Sequence, residues 1–183
     1  MNFRLAEISD LPKLKSVYKE IIDNMNRENI QIWDEIYPCE FFRDDIEHNR
    51  LYVLEENAEI ISAFALCDSN NGAEYVQWEN KYAKALYIDR FGVNVNYLRN
   101  GIGSIMLNKA IALAEEKGAE YLRLFVVDIN EPAIRLYIKN GFKQAGEAYD
   151  EVIDEDFVLH EFGFERETTE KLQERRFTSM YNG

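Results

Sequence analysis

The 183-residue sequence has few of the residues that mark disulfide-rich or metal-binding proteins. It contains two histidines and two cysteines, and Cys39 and Cys67 lie far apart without CxxC or metal-like spacing. We therefore expect reduced thiols and no metal site, as in a cytoplasmic protein. The longest nearly apolar run, IISAFALC, is too short to span a bilayer. The N-terminus MNFRLAEISD has no apolar signal region, so we expect a soluble protein without a membrane partner.

Basic residues are also scarce compared with acidic ones. The chain has 34 Asp and Glu against 21 Lys and Arg, which gives a formal net charge of −13. Such a surface repels phosphate backbones, so a nucleic-acid partner is not expected, whereas a cationic ligand suits it. The apolar content of 46% is too high for disorder, and the length suits one domain with a substantial core.

The apolar periodicity predicts the element order β α α β β β α β α β β. The predicted strands are NFRLAEI, LYVLEE, EIISAFALC, ALYIDRFGV, YLRLFVV, FKQAGEAY and DFVLHEFGFE. Helices are predicted after Ser9 or Asp10, after Pro38, from Gly101 and after Asn130. The last two strands are predicted to flank an acidic turn, DEVIDE. This order predicts one α/β domain with a mixed sheet.

The stretch NYLRNGIGSIML, residues 96–107, places two glycines where a strand gives way to a helix. Glycine in a helix costs about 1 kcal/mol relative to alanine. Three phosphate-binding patterns place glycines at such a junction. The Walker loop requires a lysine where this chain has Ser104, and the dinucleotide fingerprint requires a third glycine where it has Met106. The third pattern is Q/R-x-x-G-x-G/A.

With its flanks, RFGVNVNYLRNGIGSIML resembles the acetyl-CoA site of the GNAT superfamily of acyl-CoA N-acyltransferases. The later segment NEPAIRLYIKNGF resembles the next helix of that family. The resemblance extends over residues 1–165 and implies a mixed, mostly antiparallel sheet of six to seven strands flanked by helices. One departure is that the leading Gln or Arg of the pattern falls on Leu98, with an arginine next to it at Arg99. The side-chain contact normally made from that position is therefore in doubt.

The resemblance implies that acetyl-CoA is the co-substrate. Its diphosphate would lie against the unpaired amides at the N-terminus of the third helix, where a Cβ at Gly101 or Gly103 would hold the phosphates away. The other interpretation is that these glycines only permit a tight turn. The pantetheine arm would pair with strand four, and the Val93 N–H would stabilise the oxyanion. The implied cofactor residues are Phe91, Val93, Arg99, Asn100, Gly101, Ile102, Gly103, Ser104 and Asn130.

Two residues are candidates for proton transfer. Tyr137 matches the general acid of the family, because a phenol with a pKa of about 10 is protonated at neutral pH and can donate to a departing thiolate. Its alternative role is that of a core tyrosine. Asp89, on strand four, is the candidate general base, and its alternative role is an ion pair with Arg90.

By resemblance, the acceptor is bound by three regions: the segment between the first two helices, the loop before strand four and the last hairpin. Trp33, Tyr37 and Trp78 are the candidate substrate-binding residues. The hairpin carries the acids Asp150, Glu151, Asp154, Glu155 and Asp156. Aromatic and acidic residues together favour an acceptor with a protonated amine and an apolar or ring-like body. The alternatives are ordinary packing and a solvated loop.

The resemblance therefore implies an N-acetyltransferase that moves an acetyl group from acetyl-CoA to a primary amine of a small molecule or peptide. The amine would attack directly in a ternary complex. The alternative is a non-catalytic module that binds or senses acyl-CoA. Residues 166–183 form a charged tail that is either partly helical or disordered. An ordered tail would dock on the domain or on a second subunit to give a homodimer.

Overall fold

The computed structural model describes residues 1–154 and 157–169, and in this part of the chain a seven-stranded sheet forms the centre of the fold. The strands are β1 (Asn2–Leu5), β2 (Leu51–Glu56), β3 (Glu59–Cys67), β4 (Ala85–Val93), β5 (Tyr121–Val127), β6 (Lys143–Asp154) and β7 (Phe157–Glu167). They lie in the order β1-β2-β3-β4-β5-β7-β6. Every neighbouring pair is antiparallel except β4 and β5, which are parallel. The predicted mixed, mostly antiparallel sheet is confirmed.

Four α-helices in the same residues cover the two faces of the sheet. They are α1 (Leu11–Arg27), α2 (Phe42–Glu47), α3 (Ile102–Glu116) and α4 (Glu131–Lys139). Side chains of α1 and α2 pack in one apolar core, and those of α3 and α4 pack in another on the opposite face. None of the described helices is long and apolar enough to cross a membrane.

The central strands read as continuous apolar runs because both of their faces are buried. In β2, Leu51 and Val53 pack in the core beneath α1 and α2, whereas Tyr52 and Leu54 pack in the core beneath α3 and α4. Successive side chains of a strand point to opposite faces. A sheet covered on both sides therefore favours apolar residues at most positions of its central strands, and the largely buried charged side chains of Arg90 and Arg123 are held in ion pairs.

The sixth strand is longer than the sequence predicted. It runs on to Asp154, and Glu151 pairs with Leu159 where the acidic turn was expected. The prediction of a turn over DEVIDE is wrong for the residues up to 154, because a strand at the edge of a sheet can carry acidic residues that stay in contact with water. Glu155 and Asp156 lie outside the described residues.

The fold continues slightly beyond residue 165. Strand β7 ends at Glu167, and Thr168 is buried, with its hydroxyl donating to the Ala119 carbonyl at 2.6 Å. The backbone N–H of Thr168 donates to the Glu120 carbonyl at 3.0 Å. The first residues of the predicted tail are therefore held by the domain, and residues 170–183 lie outside the described part of the chain.

Candidate active site

The two parallel strands at the centre of the sheet separate at one end and open a cleft. Strands β4 and β5 pair from Ala85 with Tyr121 as far as Ile88 with Leu124, and their continuations no longer pair. The cleft between and around them has a volume of about 910 Å³. Parts of β4, β5, α1, α4, the β6–β7 hairpin and the loop before α3 line it. Such a cleft between parted strands leaves backbone groups of β4 free to pair with an extended ligand.

A bulge bends β4 at the start of the cleft, and helix α1 holds it. Between the pairs Ala63–Gly92 and Ala65–Asp89 the fourth strand has one residue more than the third, and Arg90 has a φ of +55°. The Tyr18 hydroxyl donates to the Arg90 carbonyl at 2.5 Å. Burial raises the pKa of Tyr18, so this hydroxyl keeps its proton. A Cβ on Gly92 would approach the Tyr18 ring to 2.9 Å, so a glycine is needed at this position to make room for that ring.

A buried ion pair fixes the Arg90 side chain from the other direction. Asp45 of α2 is fully buried and accepts two hydrogen bonds from the Arg90 guanidinium, at 2.8 and 3.0 Å. The guanidinium also lies 5.2 Å from the centre of the Phe41 ring. Neither Tyr18 nor Asp45 was predicted as a site residue, because the sequence around each of them looks like that of any other helix position.

The N-terminus of α3 lies at the cleft, as predicted for the diphosphate site. Arg99, Ile102 and Ser104 line the cleft together with both glycines, whereas Asn100 is exposed and does not line it. Gly101 is the N-cap and has a φ of +78°, a conformation that glycine adopts at little cost.

The second glycine of the motif has a packing role. A Cβ on Gly103 would lie 2.8 Å from a methyl group of Leu136. Its bare Cα therefore allows α3 and α4 to approach each other. This explanation differs from the predicted one, in which the missing Cβ gives phosphates access.

Tyr137 on α4 lies in the apolar core and also lines the cleft. Its ring is buried, with only 6% of the residue exposed, and packs near Phe91 and Phe164 at ring-centre distances of 6.3 Å each. No hydrogen-bond partner of its hydroxyl occurs among residues 1–154 and 157–169. In the same residues every fully buried side-chain N or O atom has a partner. The hydroxyl therefore reaches the surface of the cleft that this residue lines.

Burial raises the pKa of Tyr137 above its ordinary value. The phenol is therefore a proton donor in the neutral range. Nearby, Asn130 lines the cleft and caps α4, its side-chain oxygen accepting from the Ala133 N–H at 3.3 Å. Phe91 and Val93 line the cleft from β4.

Aromatic side chains form a wall at the part of the cleft beside α1. Trp33 and Tyr37 line it as predicted, with their ring centres 6.4 Å apart, and Phe41 continues the row 5.7 Å from Tyr37. Tyr149 of β6 also lines the cleft. Sequence reasoning missed Phe41 and Tyr149 as site residues.

Trp78 is not brought to the cleft. It is buried, its indole N–H donates to the Ala73 carbonyl at 2.7 Å, and the Arg123 guanidinium lies 4.4 Å from the centre of its ring. Arg123 in turn forms a buried ion pair with Glu165 at 3.2 Å. The position of Trp78 therefore corresponds to the packing alternative and not to the substrate contact we predicted.

Three carboxyl groups from different strands line the same cleft. They belong to Asp89 of β4, Glu151 of β6 and Glu161 of β7. Asp89 accepts from the Asn70 amide at 3.1 Å, and its other oxygen is 3.9 Å from the Arg90 guanidinium. Burial raises the pKa values of Asp89 and of Glu151.

The pKa of Glu161 is raised as well. Burial, reinforced by the negative charges of Glu151 and Asp89, raises the pKa of Glu161 to about 8. Sequence reasoning missed this residue, although its place in the alternating segment HEFGFE put it on one definite face of the strand. Nothing in that alternation indicates which groups it meets.

The comparisons with known proteins agree with this geometry. Residues 15–142 match the family described as Acetyltransferase (GNAT). The chain belongs to the GNAT family of acetyltransferases. N-alpha-acetyltransferase 50 of Danio rerio, one relative of the chain, is 30% identical over 132 residues, which are 72% of this chain and 74% of that protein. The provisionally named phosphinothricin acetyltransferase YwnH of Bacillus subtilis (strain 168) is 26% identical over 155 residues, which are 80% of this chain and 86% of that protein.

Solved structures of GNAT proteins share the fold. A GNAT-family acetyltransferase from Streptococcus agalactiae 2603 matches with a TM-score of 0.74 at 16% identity, over 93% of this chain and 96% of the other. The structure of yncA from Salmonella typhimurium, determined with acetyl-CoA, matches with a TM-score of 0.65 at 16% identity, over 93% and 95% of the two chains. The protein is therefore an acetyl-CoA-dependent N-acetyltransferase in the broad sense of the family, and its acceptor is an amine.

Proposed function

We propose that the protein transfers the acetyl group of acetyl-CoA directly to a primary amine of a small molecule or peptide while both substrates are bound. The main observation that supports this proposal is that one continuous cleft is large enough for both substrates. It is lined by the N-terminus of α3, by Tyr137, and by Asp89 with the aromatic wall. Donor and acceptor therefore have room side by side. None of the described residues that line the cleft is a cysteine, so a cysteine acyl-enzyme has no nucleophile there.

The cofactor would be held mainly by backbone groups. The first amides of α3 lack acceptors within the helix and carry a partial positive charge, which suits the diphosphate. Beyond Ile88, β4 no longer pairs with β5, so Phe91 and Val93 offer free backbone groups to the pantetheine arm. The N–H of Val93 would donate to the oxyanion of the tetrahedral intermediate. Asn130 would contact the same arm.

Two side chains would move the protons. A bound ammonium group would first give one proton to the Asp89 carboxylate, and the neutral amine nitrogen would then form its bond to the acetyl carbon. The nitrogen would lose its second proton to water as the tetrahedral intermediate collapses to the amide. As the carbon–sulfur bond breaks, Tyr137 gives its proton to the thiolate and later regains one from water. The raised pKa of Asp89 makes this carboxylate a stronger base than an exposed one. The raised pKa of Tyr137 keeps the acid protonated before each turnover.

Replacing Tyr137 by phenylalanine tests the proposal against the acyl-CoA sensor. Loss of a positioned general acid should lower kcat by roughly 10²-fold or more, while the affinity for coenzyme A should stay within about threefold. Thiol release measured with a panel of amines gives the first quantity, and calorimetry gives the second. Tyr75→Phe, at a residue that is 62% exposed and does not line the cleft, is the matched control.

Three outcomes would count against the assignment. Unchanged turnover in the Tyr137→Phe variant would remove the acid role of Tyr137. Absence of acetyl transfer from the wild type to any amine would favour the sensor. Failure of coenzyme A to bind would contradict both functions.

A further inference from the structure

Resting on the acetyl transfer proposed above, we infer that the acceptor is an organic cation, a primary amine on a flat or apolar body with no acidic group of its own. This inference goes beyond amine acetylation, because it predicts that the protein binds an amine more tightly than the amino acid that differs from it only by a carboxylate. It depends on the carboxyl groups and the aromatic side chains that line the cleft, and on the hydroxyl of the buried Tyr137.

Three carboxyl groups from separate strands face one space, and Glu161, whose pKa is raised to about 8, adds a negative charge only at alkaline pH. Asp89, Glu151 and Glu161 line the cleft, and the charges of Glu151 and Asp89 both act on Glu161. No group of three or more His, Cys, Asp or Glu in residues 1–154 and 157–169 is arranged to hold a metal ion. Carboxyl groups gathered in one cleft attract a cationic ligand.

Positive charge that would attract an anionic acceptor is already used or lies elsewhere. The described cationic residues that line the cleft are Arg90, Arg99, Arg135 and Lys139. Arg90 gives two hydrogen bonds to the buried Asp45, and Arg135 pairs with Glu131 at 2.7 Å. Arg99 lies in the loop before α3, and Arg135 and Lys139 lie on α4. All three are at the proposed cofactor side of the cleft. The carboxylate of an amino acid would therefore meet like charges at the acceptor side, which disfavours its binding.

The body of the acceptor would contact the aromatic wall. Trp33 and Tyr37 lie on one side of the cleft and Tyr149 on another, and such rings bind both apolar groups and ammonium groups. A second, independent feature of the cleft is the side chain of Tyr137. Tyr137 is more than nine-tenths buried and its hydroxyl, without a partner in the described residues, reaches the same cleft.

Matched pairs of ligands that differ only in a carboxylate test the inference. The pairs are tyramine and tyrosine, tryptamine and tryptophan, and 1,5-diaminopentane and lysine. Each is titrated by calorimetry at pH 8.5 into the protein saturated with coenzyme A, and each is then assayed for acetylation. We expect at least one amine to bind more than about tenfold more tightly than its amino acid.

Variants on the hairpin show which charges are responsible. Glu151→Gln and Glu161→Gln should each reduce the amine preference by about threefold or more. Asp150→Asn is the control, because Asp150 carries the same charge on the same strand but is exposed, pairs with His160, and does not line the cleft. It should leave the preference unchanged.

The results separate this inference from the proposed function. Equal or tighter binding of the amino acids, no binding of any amine, or an equal effect of Asp150→Asn would overturn the inference. Tight amine binding without acetyl transfer would support the inference and overturn the proposed function. Acetyl transfer to amines and amino acids at equal efficiency would support the proposed function and overturn the inference.

Discussion

Replacing Glu161 by glutamine should make the stability of the folded protein less dependent on pH. In the unfolded chain a glutamate ionises near 4.5, whereas burial and the charges of Glu151 and Asp89 raise the pKa of Glu161 to about 8 in the fold. Between these two values the folded protein holds a proton that the unfolded chain has released. Raising the pH through this window therefore favours the unfolded state. Glutamine has no proton to lose, so this contribution disappears in the variant.

The structure sets the size of the effect. Each pH unit between the two pKa values corresponds to at most about 1.4 kcal/mol in the free energy of unfolding. From pH 5.5 to 7.5 the upper limit is about 2.7 kcal/mol. Glu161 borders an open cleft and is only half-buried, so water screens part of this term, and we expect roughly 1 to 2 kcal/mol.

Urea unfolding at pH 5.5, 6.5 and 7.5 measures the difference directly. The wild type should lose more stability than the Glu161→Gln variant over this range, and the variant should be the more stable of the two at pH 7.5. Glu116→Gln, on the exposed end of α3, is the matched control and should follow the wild type. Equal pH slopes for wild type and Glu161→Gln would refute the argument that Glu161 is held protonated by the fold.

Two further changes test the parts of the fold that position the cleft. Asp45→Ala leaves the largely buried Arg90 guanidinium without its main partner and should cost about 3–5 kcal/mol in the free energy of unfolding. The control Asp44→Ala, at a side chain 56% exposed, should cost under about 1 kcal/mol. Similar losses in both variants by urea unfolding would contradict the role of the buried pair. Gly101→Ala should lower the free energy of unfolding by about 1–2 kcal/mol because of the left-handed φ of +78°. Gly101→Asn should lower it less, since asparagine tolerates this conformation. An alanine variant as stable as the wild type in thermal unfolding would show that this turn does not disfavour a Cβ.

The central strands were predicted to the residue, and the edge strand was not. The predicted segments LYVLEE, EIISAFALC, ALYIDRFGV and YLRLFVV coincide with β2, β3, β4 and β5. Burial on both faces makes these strands largely apolar, and this pattern identifies them. The end of β6 has no such pattern, because Val152 and Ile153 are 69% and 52% exposed and acidic residues surround them. Only pairing with β7 makes that segment a strand.

Most residues that a motif specified line the cleft, with Asn100 as an exception, whereas residues whose position depends on packing were missed. The positions of Gly101 and Tyr137 followed from segments of fixed spacing, and both line the cleft. Trp78 followed only from its aromatic character, which cannot distinguish a ring buried against Arg123 from a ring that faces a ligand. Tyr18 and Asp45 were missed because their hydrogen bonds to β4 depend on how α1 and α2 pack against the sheet.

The sequence by itself determined the order of the elements, the bounds of the doubly buried strands and the left-handed turn that starts α3. Each of these depends on neighbours within a few residues along the chain. The tertiary structure alone decided that Asp89, Glu151 and Glu161 share one cleft and that Glu161 holds its proton near neutral pH. Burial and repulsion between charges depend on distances between strands that lie far apart in the sequence, and those distances exist only after the sheet has formed.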